Sequence, residues 1–213
     1  MPIERPRHTT SVLTAIEATE AKRDSAQRLW VRMCEADNGA WFPVDFVATG
    51  AVKRLVSQSS GFRLLVESWN LLCARALLRL QIDTALRFSA IWLVEKPHDF
   101  ASQIIKGQRI DRMKDRDGQQ MKDAYLISRL APAHPWLPRV YESLSGYVHF
   151  SGEHLFSPLQ ETEGGVEIEI HETDTKYPES SWLEVIECFN EATDIFIEYL
   201  VGWIKTKEAD TKN

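Results

Sequence analysis

The sequence predicts a mainly α fold: a helical bundle with a long central helix and a β-hairpin inserted before the C-terminal helix. Three observations predict it. Residues 61–95 form a strongly apolar run with no proline and with glycine only at its start. Apolar residues recur at helical spacing on both sides of that run. One segment alone, "VEIEIHE" at 166–172, alternates with the period of a strand. A length of 213 residues suits one domain. Residues 1–213 are therefore read as a single bundle, with 1–9 and 208–213 as flexible ends and 153–173 as a β-hairpin insertion.

The elements follow in order. Thr10 or Ser11 caps a first amphipathic helix that "DNG" stops near Asp37, with Val12, Leu13, Ile16, Leu29 and Met33 on its apolar side. After the aromatic turn "WFPVDF", a short helix is expected from about Val47 to Gln58, ending at "SSG". The central helix is expected from Gly61 to Glu95. A helix of roughly 35 residues is about 50 Å long, and one apolar nearly all round must be covered by neighbours on most sides. Pro97 starts the next helix and Gly107 stops it. Residues 121–130 form another short helix, and the proline-laden "APAHPWLP" leads into a helix that runs to about His149. "HLFSPLQ" and "VEIEIHE", joined by the turn "ETEGG", are the hairpin strands. Ser180 or Ser181 caps the last helix, which carries Trp182, Val185, Ile186, Phe189, Phe196, Leu200 and Trp203 on its apolar face and runs to about Lys207.

Composition excludes several classes of function. The formal net charge is −6, which argues against a protein that coats duplex DNA by neutralising phosphates. No segment has the unbroken apolar length of a membrane span, and "MPIERPRHTTS" lacks the apolar core of a signal peptide. Cys34, Cys73 and Cys188 are scattered, without the spacing of a metal or disulfide framework, which fits a reducing, cytoplasmic setting. P-loop, GxGxxG, HExxH and GxSxG signatures are absent, and no cofactor is expected. His149, Glu153, His154 and His171 span a helix end and do not keep the spacing of helical metal ligands, so no metal site is expected either. "QRIDRMKDRDGQQ" alternates its charges, as a solvated face does.

The chemistry-bearing stretch is "LLCARALLRLQIDTALRF", in which Arg75, Arg79, Asp83 and Arg87 recur every fourth residue of an otherwise apolar helix. Steps of four advance about 40° beyond a full turn, so these groups wind slowly round the helix, and Asp83 reaches both Arg79 and Arg87. Three readings stay open: a partly exposed stripe of helical pairs, a polar network at a helix or subunit interface, or an anion-binding wall for phosphate or carboxylate.

The second distinctive stretch is "VYESLSGYVHFS" at 140–151. A bundle with a long central helix and a late Y-x-x-L-S-x-Y-V-H-x-S resembles the HEPN superfamily, the higher-eukaryote and prokaryote nucleotide-binding helical domains, and most closely its abortive-infection-like bacterial members. The resemblance covers roughly residues 45–205. It implies a homodimer, an RNA or nucleotide ligand, and a role in bacterial stress or phage defence. Active members carry an Arg-polar-x-x-x-His signature for metal-independent RNA cleavage. Here the resemblance puts His149 in the histidine place, Ser145 in the polar place and Leu144 in the arginine place. Leucine cannot orient a phosphate or stabilise its charge, so the motif is degenerate. The expected function is a non-enzymatic binding or interaction protein for an anionic ligand, an RNA or a protein partner, its cleft formed by Arg75, Arg79, Asp83, Arg87, Ser145 and Tyr147. The alternative is a ribonuclease or toxin-like effector in which His149 is the catalytic acid/base and a hub arginine supplies the missing charge.

Overall fold

The computed structural model describes residues 7–210 other than 150, 157, 163 and 169, and the side chains of those residues other than 153, 154, 160, 161 and 210. The fold is a mainly α bundle. Helix α1 (Thr10–Glu35) is capped by Thr9, whose side chain accepts the Val12 N–H. Helix α2 (Pro43–Glu67) opens with proline in its first turn, and the Asp45 carboxylate reaches back 2.7 Å to the Phe42 N–H. Then come α3 (Leu71–Ser89), α4 (Pro97–Ile105), α5 (Asp123–Leu130), α6 (Leu137–Val148) and the single turn α7 (Gly152–Phe156). Strands β1 (Leu159–Thr162) and β2 (Gly165–Ile168) pair antiparallel, Leu159 opposite Ile168, and α8 (Glu179–Asp210) closes the chain.

Helix α3 is the hub. It packs against α2, α5, α6 and α8, while α1 lies across α2 and α8. Leu71, Ala74, Leu78, Ile82, Ala85, Leu86 and Phe88 are all buried. Stacking of Phe62 on Phe189 at 4.1 Å, and a tilted contact of Phe88 with Phe196 at 4.9 Å, tie α2 and α3 to α8. The segment bearing Tyr147, Val148 and His149 docks on this hub through α6.

The boundaries of the central run differ from expectation. The helix does not begin at Gly61. That residue lies inside α2, and a Cβ there would sit 3.3 Å from Leu77 Cδ1, so glycine lets α2 approach α3 closely. The break falls at 68–70 instead. Trp69 adopts a left-handed φ of 62°, a conformation that costs a bulky residue about 1–3 kcal/mol. Its ring stacks on His8 at 3.8 Å and meets Trp182 edge-on at 5.3 Å, contacts that offset the strain. Asn70 Oδ1 then caps α3 by accepting the Cys73 N–H, and Asp174 Oδ2 accepts the Leu72 N–H at 3.0 Å. The far end of the run, Ala90–Leu93, tightens into a 3-10 turn.

The ends and the insertion also differ. His8 and Thr9 are tied down, by His8 Nε2 to the Val66 carbonyl at 2.7 Å and Thr9 Oγ1 to Glu179, whereas residues 1–6 and 211–213 of the expected flexible ends lie outside the described residues. Leu155 and Phe156 belong to the turn α7 and not to a strand. The hairpin is short, and Val166, Ile168 and Ile170 are exposed. No helix among the described residues is long and apolar enough to cross a membrane.

Candidate functional site

The charged residues of α3 gather partners from three other helices. Arg79 hydrogen-bonds the Tyr141 hydroxyl of α6, lies 3.6 Å over that ring, and reaches Asp123 Oδ2 at 3.3 Å. Asp123, in the first turn of α5, accepts from Tyr141 Oη, from Arg79 and from Arg87. Arg87 also pairs with Asp83 at 3.2 Å, one helical turn away, and donates to the Met121 carbonyl at 3.3 Å. On the other side Arg54 of α2 donates to Asp83 Oδ2 at 3.3 Å. The seam thus links Tyr141, Arg79, Asp123, Arg87, Asp83 and Arg54. Its three guanidiniums face two carboxylates, leaving an excess of positive charge.

The physical consequences are graded by burial. Arg79 keeps only 15% of its side chain exposed, and Arg54 keeps 45%, so the Tyr141 end is dry and the Arg54 end is wet. Burial first, then the hydrogen bond to Asp123, pushes the Tyr141 phenol up, with the Arg79 charge opposing; it stays a neutral donor at physiological pH. Nearby Asp111 is held below the usual carboxylate range, chiefly by its hydrogen bond from Arg109, with the charges of Arg87 and Arg112 adding to that.

At its wet end the seam opens into a cleft of about 250 Å³ between α2, α3 and α4. Arg54, Asp83 and Arg87 line one side, and Val47, Ala51, Phe88, Ile104 and Ile110 make the rest mostly apolar. A larger cleft, about 550 Å³, lies along residues 94–116. Its central groups hold its own loop: Arg116 donates to the carbonyls of Trp92, Leu93 and Val94, and Asp115 accepts from the N–H groups of Asp117 and Gln119 and from Tyr125 Oη. The hub-helix cleft is therefore the better candidate for an external ligand.

The remaining expected residues sit elsewhere. Arg75 donates to Tyr147 Oη at 2.7 Å and stacks between the rings of Tyr147 and Tyr177, apart from Asp83 and Arg87. Beside it, a cavity of about 100 Å³ reaches Cys188, whose thiol is pushed up to about 12 by burial first and by Glu184 second, so it is no nucleophile. Ser145 Oγ bonds back to the Tyr141 carbonyl of its own helix. His149 is the exposed C-cap of α6, and among the described residues no arginine hydrogen-bonds its ring. Leu144, in the arginine place of the resemblance, is buried core. Among the described residues no three His, Cys, Asp or Glu side chains converge as metal ligands.

Sequence reasoning missed Arg54, Asp123 and Tyr141. Arg54 had one local signal: with Val47, Gly50 and Ala51 it makes an i, i+3, i+4, i+7 stripe on α2. Asp123 had none, because Arg87 lies 36 residues away along the chain; Tyr141 heads the Y-x-x-L-S-x-Y-V-H-x-S stretch, but nothing local pairs it with Arg79, 62 residues away. Comparison with protein-family models, with curated proteins and with solved structures finds no match for this chain.

Proposed function

We propose that this chain is a non-enzymatic, HEPN-like binding protein whose hub helix presents guanidiniums to an anionic ligand. One observation carries the reading: three arginines, Arg54, Arg79 and Arg87, share only two carboxylates, and the seam ends in an open cleft. An anion docking there completes the charge pairing without breaking the dry end of the network. Binding without catalysis is supported by the chemistry near His149. A histidine alone can move a proton, but phosphodiester cleavage also needs a charge on the phosphate, and the α3 arginines are turned to Asp123, Asp83 and the tyrosines. Homodimerisation and a cytoplasmic role in bacterial stress or phage defence belong to the same reading and rest on the family resemblance. Light scattering across a concentration series tests the dimer.

The function is tested with inorganic phosphate, pyrophosphate and labelled RNA. Calorimetric titration is expected to give saturable phosphate or pyrophosphate binding that Arg54→Gln weakens about tenfold, the loss of one charge-assisted hydrogen bond. RNA incubated in EDTA is expected to stay intact with the parent and with His149→Ala alike. Cleavage by the parent that His149→Ala abolishes would replace the binding reading with the ribonuclease.

A further inference from the structure

The cleft at the wet end of the seam has a second chemical feature besides its arginines. Gly50 stands in the middle of α2, where glycine costs roughly 1 kcal/mol relative to alanine. Its φ is not in the left-handed region, and a Cβ built there would meet nothing within 4 Å. Neither backbone conformation nor packing inside this chain explains the missing side chain. Gly61, eleven positions on, makes the contrast: its Cβ would press on Leu77. What Gly50 does is leave the wall of the cleft bare. Val47, Ala51 and Arg54 share its helical stripe and line the same space.

From this geometry we infer that the cleft takes an amphiphilic anion: a carboxylate or phosphate head paired with Arg54 and Arg87, and a short aliphatic or flat apolar body lying over Gly50 against Val47, Phe88, Ile104 and Ile110. The inference rests on the anion-binding reading above and narrows its ligand. Charge complementarity selects the head, since the cleft is lined by two guanidiniums, Arg54 and Arg87, and by one carboxylate, Asp83. The apolar walls select the body. An inorganic ion would leave those walls wet, and a polynucleotide backbone offers them nothing apolar. A volume of about 250 Å³ limits the body to a few carbons or one small ring.

The experiment compares inorganic phosphate with ethyl, butyl and hexyl phosphate, and acetate with butyrate and hexanoate, by calorimetric titration of the parent, of Gly50→Ala and of Gly50→Leu. Leucine is a good helix former at this exposed helical site, and a thermal melt of each variant verifies folding. The expected result is an affinity that rises roughly fourfold for each of the first few methylenes, in the phosphate series, the carboxylate series or both. Gly50→Leu fills the cleft and brings the ratio of hexyl phosphate to phosphate affinity back toward one, while Gly50→Ala retains most of it. Phosphate binding with no gain along the series overturns the amphiphile and leaves the anion reading standing. A gain that Gly50→Leu leaves intact overturns the placement in this cleft. Hexanol binding as tightly as hexyl phosphate overturns the role of the arginines. No binding by any member of either series overturns both this inference and the function on which it rests.

Discussion

At the scale of single residues, the most consequential group is Lys207. It keeps 1% of its side chain exposed, and its partner Asp45 keeps none. Its Nζ donates to Asp45 Oδ2 at 3.1 Å, to the Met33 carbonyl at 3.0 Å and to the Ala40 carbonyl at 2.9 Å. Asp45 accepts in addition from the Phe42 N–H and from Trp203 Nε1 at 2.7 Å. Two charges removed from water are costly unless every lone pair and proton is met, and here most are. The pair fastens the end of α8 to the turn between α1 and α2. Lys207→Met therefore strands a buried carboxylate, and urea denaturation is expected to show a loss of about 3–5 kcal/mol. Adding Asp45→Asn should restore part of it, because asparagine removes the lone charge yet still accepts from Phe42 or Trp203. A double variant weaker than Lys207→Met would show that the hydrogen bonds, not the charge, dominate. The sequence carried a signal for this residue: Leu200, Trp203 and Ile204 make an apolar stripe whose next position is Lys207. The last helix is expected to end at about Lys207, and only that stripe marks the lysine as facing the core.

At the scale of elements, the α2–α3 junction was the least legible part of the fold. Helix breaks are read from glycine and proline, and this one has neither: Trp69 takes the left-handed conformation and is held there by tertiary contacts from His8 and Trp182. Conversely, Gly61 looks like punctuation and serves close packing of two helices. The junction couples stability to pH through His8. Burial outweighs the Val66 hydrogen bond and the Glu67 charge, so the folded state lowers the His8 pKa below the ordinary histidine value near 6.5. The neutral ring is the one that the fold prefers. The stabilisation from this group is therefore fully present above the unfolded pKa near 6.5 and is lost as pH falls through the depressed folded value. The midpoint of thermal melting should decline below about pH 6.5, and His8→Phe, which keeps a ring for Trp69 but cannot take a proton, should flatten that part of the profile. An unchanged slope in His8→Phe would assign the acid sensitivity to other groups.

At the scale of the whole molecule, the bundle and its hub were legible because burial imposes a periodic pattern on each helix. The candidate cleft was legible only in part. Arg79, Asp83 and Arg87 announced themselves by spacing along one helix, but Arg54, Asp123 and Tyr141 join them from other helices, and no periodicity encodes that. The hairpin shows the converse. Its alternation was plain, yet among the described residues its strands pair chiefly with each other. Lys176 Nζ reaches the Leu159 carbonyl at 3.3 Å, and Asp174, in the same connection, caps α3. Ile168 is 68% exposed and Ile170 88%. A monomer gains little from either side chain, so Ile168→Lys and Ile170→Lys should each change unfolding free energy by less than about 0.5 kcal/mol. Phe189→Ala, in the stack with Phe62, should cost about 3–5 kcal/mol. Urea denaturation at two protein concentrations distinguishes the cases. If Ile168→Lys destabilises the protein strongly, and more so at the higher concentration, the apolar side of the hairpin is covered in solution by a second copy of the chain. An effect that is small and independent of concentration means that the apolar side of the hairpin stays uncovered in solution and that Ile168 and Ile170 add no stability to the bundle.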